Sequence, residues 1–191
     1  MMLRELLLTN RSYRRFDENH RVDRATLTDL VDLTRLAPSA ANLQPLKYFI
    51  SWKPEKNNLI FPHLAWAGYL RDWSGPQPGE RPSAYIVLLA DTTIKKDINC
   101  DHGIAAQSIL LGACEKGLGG CMIASIDRPA LMTALNLPER YSILLVLALG
   151  KPKEKVVLES LGPDGKIEYW RDAQGVHHVP KRPLKEIILD E

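Results

Sequence analysis

The chain has 191 residues, long enough for one domain with a sizeable core. Its 45% hydrophobic and 25% charged residues suit an ordinary globular protein, and a net charge of +2 gives no general attraction to nucleic acid or acidic membranes. No apolar run reaches bilayer-spanning length, and an odd set of cysteines (Cys100, Cys114, Cys121) without a Cys-x-x-Cys pair argues against a disulfide framework and fits a reducing cytoplasm.

Residues 2–9 predict a short helix; the acid Glu5 and the lack of a small-residue cleavage site set this start apart from a signal peptide. Arg11-Ser12-Tyr13-Arg14-Arg15-Phe16 follows, with three guanidiniums in five residues around a hydroxyl. Such a cluster suits a phosphate, because each guanidinium presents a planar fork of donors. Asp23 can cap a second helix, in which Leu27, Leu30, Val31 and Ala37 keep helical spacing until Pro38 stops it. Pro38-Ser39-Ala40-Ala41-Asn42-Leu43-Gln44-Pro45 then offers a hydroxyl and two carboxamides, which both donate and accept and so suit the edge of a polar heterocycle. A strand is predicted over 47–52. The stretch from 53 to 83 is the least regular. It carries Trp66, Tyr69 and Trp73, and its Pro/Gly density over 74–82 excludes regular structure. It is either a binding loop whose aromatics, Trp73 foremost, wall a substrate cavity, or an exposed connection with local packing.

Residues 84–90 form a continuous apolar run, a strand buried on both faces. From Asp101 to Lys116 a helix is apolar nearly all round, which places it in the core or at a subunit contact, with Gly117 as its cap. Gly119 to Ile126 predicts strand into loop, Asp127 caps a helix through Leu135, and 141–149 is a further buried strand closed by Gly150. Gly162-Pro163-Asp164-Gly165 is a turn and a candidate hairpin tip. The end is basic at Lys181-Arg182 and then amphipathic. There is no Gly-x-Gly-x-x-Gly after a strand and no phosphate loop. His177 and His178 are adjacent and would point to opposite faces of a strand, and no histidine shows metal-ligand spacing. Ser39 lacks the Gly-x-Ser-x-Gly setting of an acyl-transfer nucleophile, and Cys121 is expected to be a small core residue. Helices interleaved with buried strands predict an α/β or α+β layered domain over 1–191.

The Arg-Ser-x-Arg-x-Phe and Pro-Ser-x-x-Asn-x-Gln-Pro segments, in this order and separation, resemble the flavin-binding signature of the nitroreductase family. The resemblance implies an α+β layered fold, with a central, mostly antiparallel sheet flanked by helices, in a homodimer that binds FMN at its subunit interface. It assigns Arg11, Ser12 and Arg14 to the FMN phosphate, ribityl chain and pyrimidine edge. It assigns Pro38, Ser39, Asn42 and Gln44 to the isoalloxazine of the partner subunit's site. Met122, Ile123, Ala124 and Ser125 match the segment that lays backbone against the flavin, with an N–H of Ala124 or Ser125 reaching N5. A fixed dipole there would stabilise developing charge without reorganisation. Lys181-Arg182 resembles the closing basic segment of the phosphate site, and Arg182 is favoured for its fork. The chain departs from the family pattern at Asn10, Leu46 and Val179, where a further Arg, an aromatic and a Lys are usual.

The implied activity is hydride transfer from NADH or NADPH through FMN to a small electron-poor acceptor, a nitroaromatic or quinone, by a ping-pong mechanism and with no catalytic side chain. Reductive dehalogenation, or flavin binding without efficient turnover, is the alternative. Neither nucleic acid nor membrane is an expected partner, and no metal is expected.

Overall fold

Alternation of apolar side chains builds the centre of the molecule. In the computed structural model, which describes residues 2–189, strand β3 (Ala84–Asp91) is buried along all its length. It lies between β2 (Leu46–Ser51) and the long β5 (Tyr141–Pro152), antiparallel to both. The far edge of β5 pairs antiparallel with β4 (Gly119–Ile123) and, at its end, with β1 (Phe16–Asp17). The five strands therefore form one antiparallel sheet.

Because successive residues of a strand face opposite sides, Ile86, Leu88, Leu147 and Leu149 pack on one side, against Leu27, Leu30, Ala106, Ile109 and Ala113. These last belong to α2 (Arg24–Arg35) and α4 (Asp101–Glu115). Tyr85, Val87, Val146 and Ala148 pack on the other side, against Ile60, Trp66 and Leu131, which come from α3 (Pro54–Ile60), the loop after it and α5 (Arg128–Ala134). The helix α1 (Leu3–Thr9) has no buried residue. The architecture is the expected α+β layering of helices on an antiparallel sheet.

The caps follow the sequence. Asp23 accepts from the Thr26 N–H at 2.7 Å and Asp127 from the Ala130 N–H at 3.1 Å, each at a helix start. Gly117 ends α4 with φ +70°, where a side chain is disfavoured.

Three expectations are corrected. The stretch from 53 to 83 contains α3, opened by Pro54 at its first turn and held by the buried Asn57, which accepts from the Ser51 hydroxyl at 2.7 Å and donates to the Ser83 carbonyl at 2.8 Å. The strand expected to close at Gly150 runs on to Pro152, because Phe16 of β1 packs on that glycine. Gly162–Gly165 is a turn, with Gly165 N–H bonded to the Gly162 carbonyl, but not a hairpin tip. The flanking strands β6 (Val156–Ser160) and β7 (Trp170–Arg171) lie on either side of β8 (His177–Lys181), parallel and antiparallel to it. The amphipathic end forms one 3-10 turn, Leu184–Glu186.

Candidate cofactor site

The Arg-Ser segment is laid along the open edge of β4. Ser12 bridges Gly120, and the Tyr13 N–H reaches the Gly120 carbonyl at 3.0 Å. Glu154, its side chain almost wholly buried, accepts the N–H groups of both Arg14 and Arg15 and the Arg171 guanidinium. One carboxylate thus fixes the backbone of the basic segment without neutralising the Arg14 side chain.

Arg11, Ser12 and Arg14 line a cavity of about 390 Å³ together with Met122, Lys181, His177, Tyr169 and Gln107. Among the described residues no carboxylate lines it. Arg14 lies over the Tyr169 ring, 4.8 Å from its centroid, and its Nη1 sits 3.3 Å from His177 Nε2. Burial and the neighbouring guanidiniums of Arg14 and Arg171 push the His177 imidazole down to about 4. It is therefore neutral near pH 7, and its Nε2 accepts from Arg14. Arg11 donates to the Leu7 carbonyl at the end of α1, while its buried Nε meets no acceptor among the described residues. A buried guanidinium donor without a partner, in a wall of cations, is a demand for an anion.

Two of the basic residues turn elsewhere. Arg15 pairs with Glu80, and Arg182 pairs with Glu186 at 3.3 Å and does not line the cavity. The cation that the end of β8 supplies is Lys181. The reason is strand alternation: His177, Val179 and Lys181 share one face, and all three line the cavity. His178 faces away and is held between Glu159 and Asp172 while stacking on Trp170 with centroids 4.1 Å apart. The expectation that the two histidines point to opposite faces holds.

A second cavity of about 200 Å³ adjoins the first and shares Arg14, Met122 and Tyr169 with it. Its other walls are Cys121, Ile123, Ala124 and Ser125 and the segment Ala65 to Gly68. Sequence reasoning missed Arg128, which shapes this wall. Its guanidinium donates to the carbonyls of Ile143 at 2.9 Å, Ala124 at 3.2 Å and Leu144 at 3.3 Å. A peptide is planar and trans, so holding the Ala124 carbonyl also fixes the direction of the Ser125 N–H. The Ser125 carbonyl is taken by the Ala65 N–H at 3.0 Å.

Trp73 lines neither cavity and lies beneath the Arg171 guanidinium. The Pro/Gly stretch after it is tied to the N-terminal strand: Glu80 bonds Arg15, its carbonyl accepts the Phe16 N–H, and Glu18 accepts the Gly79 N–H. Trp66 to Gly68, rather than Trp73, is the part of this loop that reaches a cavity.

Pro38, Ser39, Asn42 and Gln44 lie apart from both cavities, in a third of about 410 Å³ between α2, β2 and the start of α4. It shares no lining residue with the other two.

Over residues 7–68 and 80–151 the sequence matches the Nitroreductase family. The chain belongs to this family. A Bacillus subtilis (strain 168) protein named for NAD(P)H nitroreductase activity, YodC, is 22% identical over 196 residues, covering 87% of this chain and 97% of its own length. The solved structure of a nitroreductase family protein from Clostridium difficile 630 superposes with a TM-score of 0.71 at 20% identity, covering 100% of this chain and 99% of that one. An FMN-dependent nitroreductase from Clostridium difficile R20291 gives a TM-score of 0.62 at 23% identity, covering 78% of this chain and 87% of that one. Within this nitroreductase fold the cation-lined cavity, with its partnerless Arg11 Nε and no acid among the described lining residues, has the chemistry to hold a phosphate. Lys181 lies beyond the matched residues, which end at 151.

The adjacent histidines should titrate in opposite directions. His177 is held neutral, so the stability tied to it is complete above about 6.5 and is lost as pH falls toward about 4. Asp172 and Glu159 raise His178, so the stability tied to that charge is complete at low pH and is lost as pH rises through its raised pKa. Thermal midpoints measured from about pH 4 to about pH 9 should fall on both sides of neutrality. His177→Asn should flatten the acid limb and His178→Asn the alkaline limb; limbs unchanged in both variants would place the titration elsewhere.

Proposed function

We propose that the chain is an FMN-dependent oxidoreductase that passes hydride from NADH or NADPH through flavin N5 to a small electron-poor acceptor such as a nitroaromatic or a quinone, and that it works as a homodimer. The observation that carries this reading is the cavity, free of acids among the described residues, in which Arg11, Arg14 and Lys181 converge beside the end of β4.

Each group has a task in that reading. Arg11 and Lys181 bind the phosphate, Arg11 through a fork of donors and Lys181 as a point charge. Ser12 and Arg14 meet the ribityl chain and pyrimidine edge. Met122 to Ser125 lay backbone along the ring, and the Ser125 N–H, whose direction Arg128 fixes, is the candidate donor at N5. Such a donor stabilises charge as it develops and needs no reorganisation. No side chain is required as nucleophile or proton donor.

The homodimer supplies what one copy keeps apart. Pro38, Ser39, Asn42 and Gln44 would serve the partner subunit's site. Apolar side chains left exposed on one copy support this: Leu36 is 69% exposed, and Leu3, Leu8 and Leu43 are also uncovered. An interface able to bury them would be large and core-like.

The purified protein is expected to be yellow, to release FMN on denaturation and to run as a dimer. It should oxidise NADH or NADPH only when an acceptor is present, with parallel lines in initial-rate plots. A colourless protein that takes up no FMN on titration would overturn the reading. Intersecting lines would mean that donor and acceptor bind together. The profile of acceptors reduced by the flavin-loaded protein separates nitro, quinone and halogenated substrates.

A further inference from the structure

The loop that carries the two carboxamides follows an uncommon course. Ala41, Asn42 and Gln44 all have left-handed backbone, at φ 51°, 54° and 51°. None is glycine, and residues with a side chain hold this region only when their surroundings enforce it. Within the loop the Asn42 N–H reaches the Ser39 carbonyl at 2.9 Å and the Gln44 side chain donates to the Asn42 carbonyl and to Asn42 Oδ1, both at 3.1 Å. At its far end the Pro45 carbonyl accepts the Asp91 N–H at 2.9 Å, and at its start a carboxylate ties the loop to α4. Asp101, the first residue of α4 and only 5% exposed, accepts the Ser39 hydroxyl at 2.6 Å on Oδ2 and the Ala40 N–H at 3.2 Å on Oδ1. The Ser39 oxygen in turn accepts the Gln44 N–H at 3.0 Å. The hydroxyl proton is therefore committed to Asp101 and one lone pair to Gln44, so Ser39 acts inside the loop as a splice between its two ends.

We propose that Asp101 is the positioning residue of this loop: through Ser39 and Ala40 it imposes the left-handed course that sets where the Asn42 and Gln44 carboxamides point. It touches no reacting group. The placement suits a carboxylate twice over. The N-terminus of α4 favours negative charge, and the Ser39 and Ala40 donors hold the carboxyl below the usual carboxylate range. The same helix places Gln107 and Leu110 at the cation-lined cavity. One rigid element thus carries both the anchor of the loop and a wall of the phosphate site. The role presupposes FMN at the loop, as in the function proposed for the chain.

The test is a double-mutant cycle on FMN affinity, measured by quenching of flavin fluorescence as apoprotein is reconstituted, with the visible circular dichroism of the bound flavin as a second readout. Asp101→Asn keeps the shape and one acceptor but turns an N–H₂ toward a donor. It is expected to raise the FMN Kd at least tenfold and to alter the visible dichroism. Asn42→Ala with Gln44→Ala should weaken binding similarly. In that double background Asp101→Asn should have less than a twofold further effect, because residues acting through one another do not add. An equal effect of Asp101→Asn in both backgrounds, or none in either, would overturn the positioning role while leaving the loop in the FMN site. Unchanged FMN affinity without both carboxamides would overturn the loop's place in the site, and the role of Asp101 with it. Should Asp101→Asn fail to fold, Ser39→Ala cuts the same tie and takes its place in the cycle with the same expected outcomes.

Discussion

Replacing Arg11 by alanine is expected to weaken FMN binding by about 1.5–3 kcal/mol, the scale of a hydrogen bond to a charged group. That is roughly a 10- to 150-fold rise in Kd. Among the described residues Arg11 has a buried Nε without a partner and lines a cavity without acids, so that donor has nothing else in the cavity to bind. Arg11→Lys should recover only part of the loss, since an ammonium cannot reproduce two parallel donors. Lys181→Ala should also weaken binding, and more so at low salt, because a partly exposed point charge is screened by ions. Arg182→Ala is the internal control. Its side chain pairs with Glu186 outside the cavity, and FMN affinity should be unchanged. Titrations of FMN into the four variant apoproteins decide the matter. A loss with Arg182→Ala and none with Lys181→Ala would mean that the end of β8 presents its other face to the phosphate. Because Arg11 also donates to Leu7 at the end of α1, thermal midpoints should be recorded alongside, to separate a lost phosphate contact from a loosened helix.

The parts legible in the sequence are those in which burial repeats at short range. The runs at 84–90 and 141–149 and the helix from Asp101 are apolar on nearly every side, and they became β3, β5 and α4. Asp23, Gly117 and Asp127 announced caps because a cap is read within four residues. The helix α3 escaped because it is mostly polar and its anchor, Asn57, bonds Ser83, 26 residues away. Gly150 looked like a strand end, but a glycine marks an end or a close contact equally well, and only the fold brings Phe16 onto it. Lys181 was within reach. Once His177 and His178 are taken to face opposite ways, the same alternation puts Lys181, one of the two basic residues that the resemblance assigns to this segment, on the face of His177. The Asp101–Ser39 bond spans 62 residues and carries no local signal. The same holds for Glu154 beneath Arg14 and Arg15, and for Arg128 behind Ala124. Side chains that would touch a cofactor cluster in short motifs, whereas those that would hold them in place are scattered along the chain.

Gly120 joins these two kinds of residue, and Gly120→Ala is expected to damage both stability and the site. A Cβ at this position would lie 2.6 Å from Leu110 Cδ2, 2.8 Å from Leu149 Cδ2 and 2.7 Å from the Ala148 carbonyl oxygen. The leucines can turn, but the carbonyl belongs to the backbone of β5, paired with β4, and cannot withdraw without opening the ladder. Overpacking of this kind costs about 1–3 kcal/mol, which for a chain of this size is roughly 2–4 °C of thermal midpoint per kcal/mol. The consequence at the site follows from what Gly120 touches. Ser12 bridges it, Tyr13 bonds its carbonyl, and Leu110 is a wall of the cation-lined cavity. Moving β4 away from β5 displaces the basic segment with it, so FMN affinity should fall even under conditions where the variant is fully folded. Melting curves with and without FMN check both halves. A variant with the wild-type midpoint would show that the strand relaxes freely. A destabilised variant with unchanged FMN affinity would show that the basic segment takes its position from Glu154 alone.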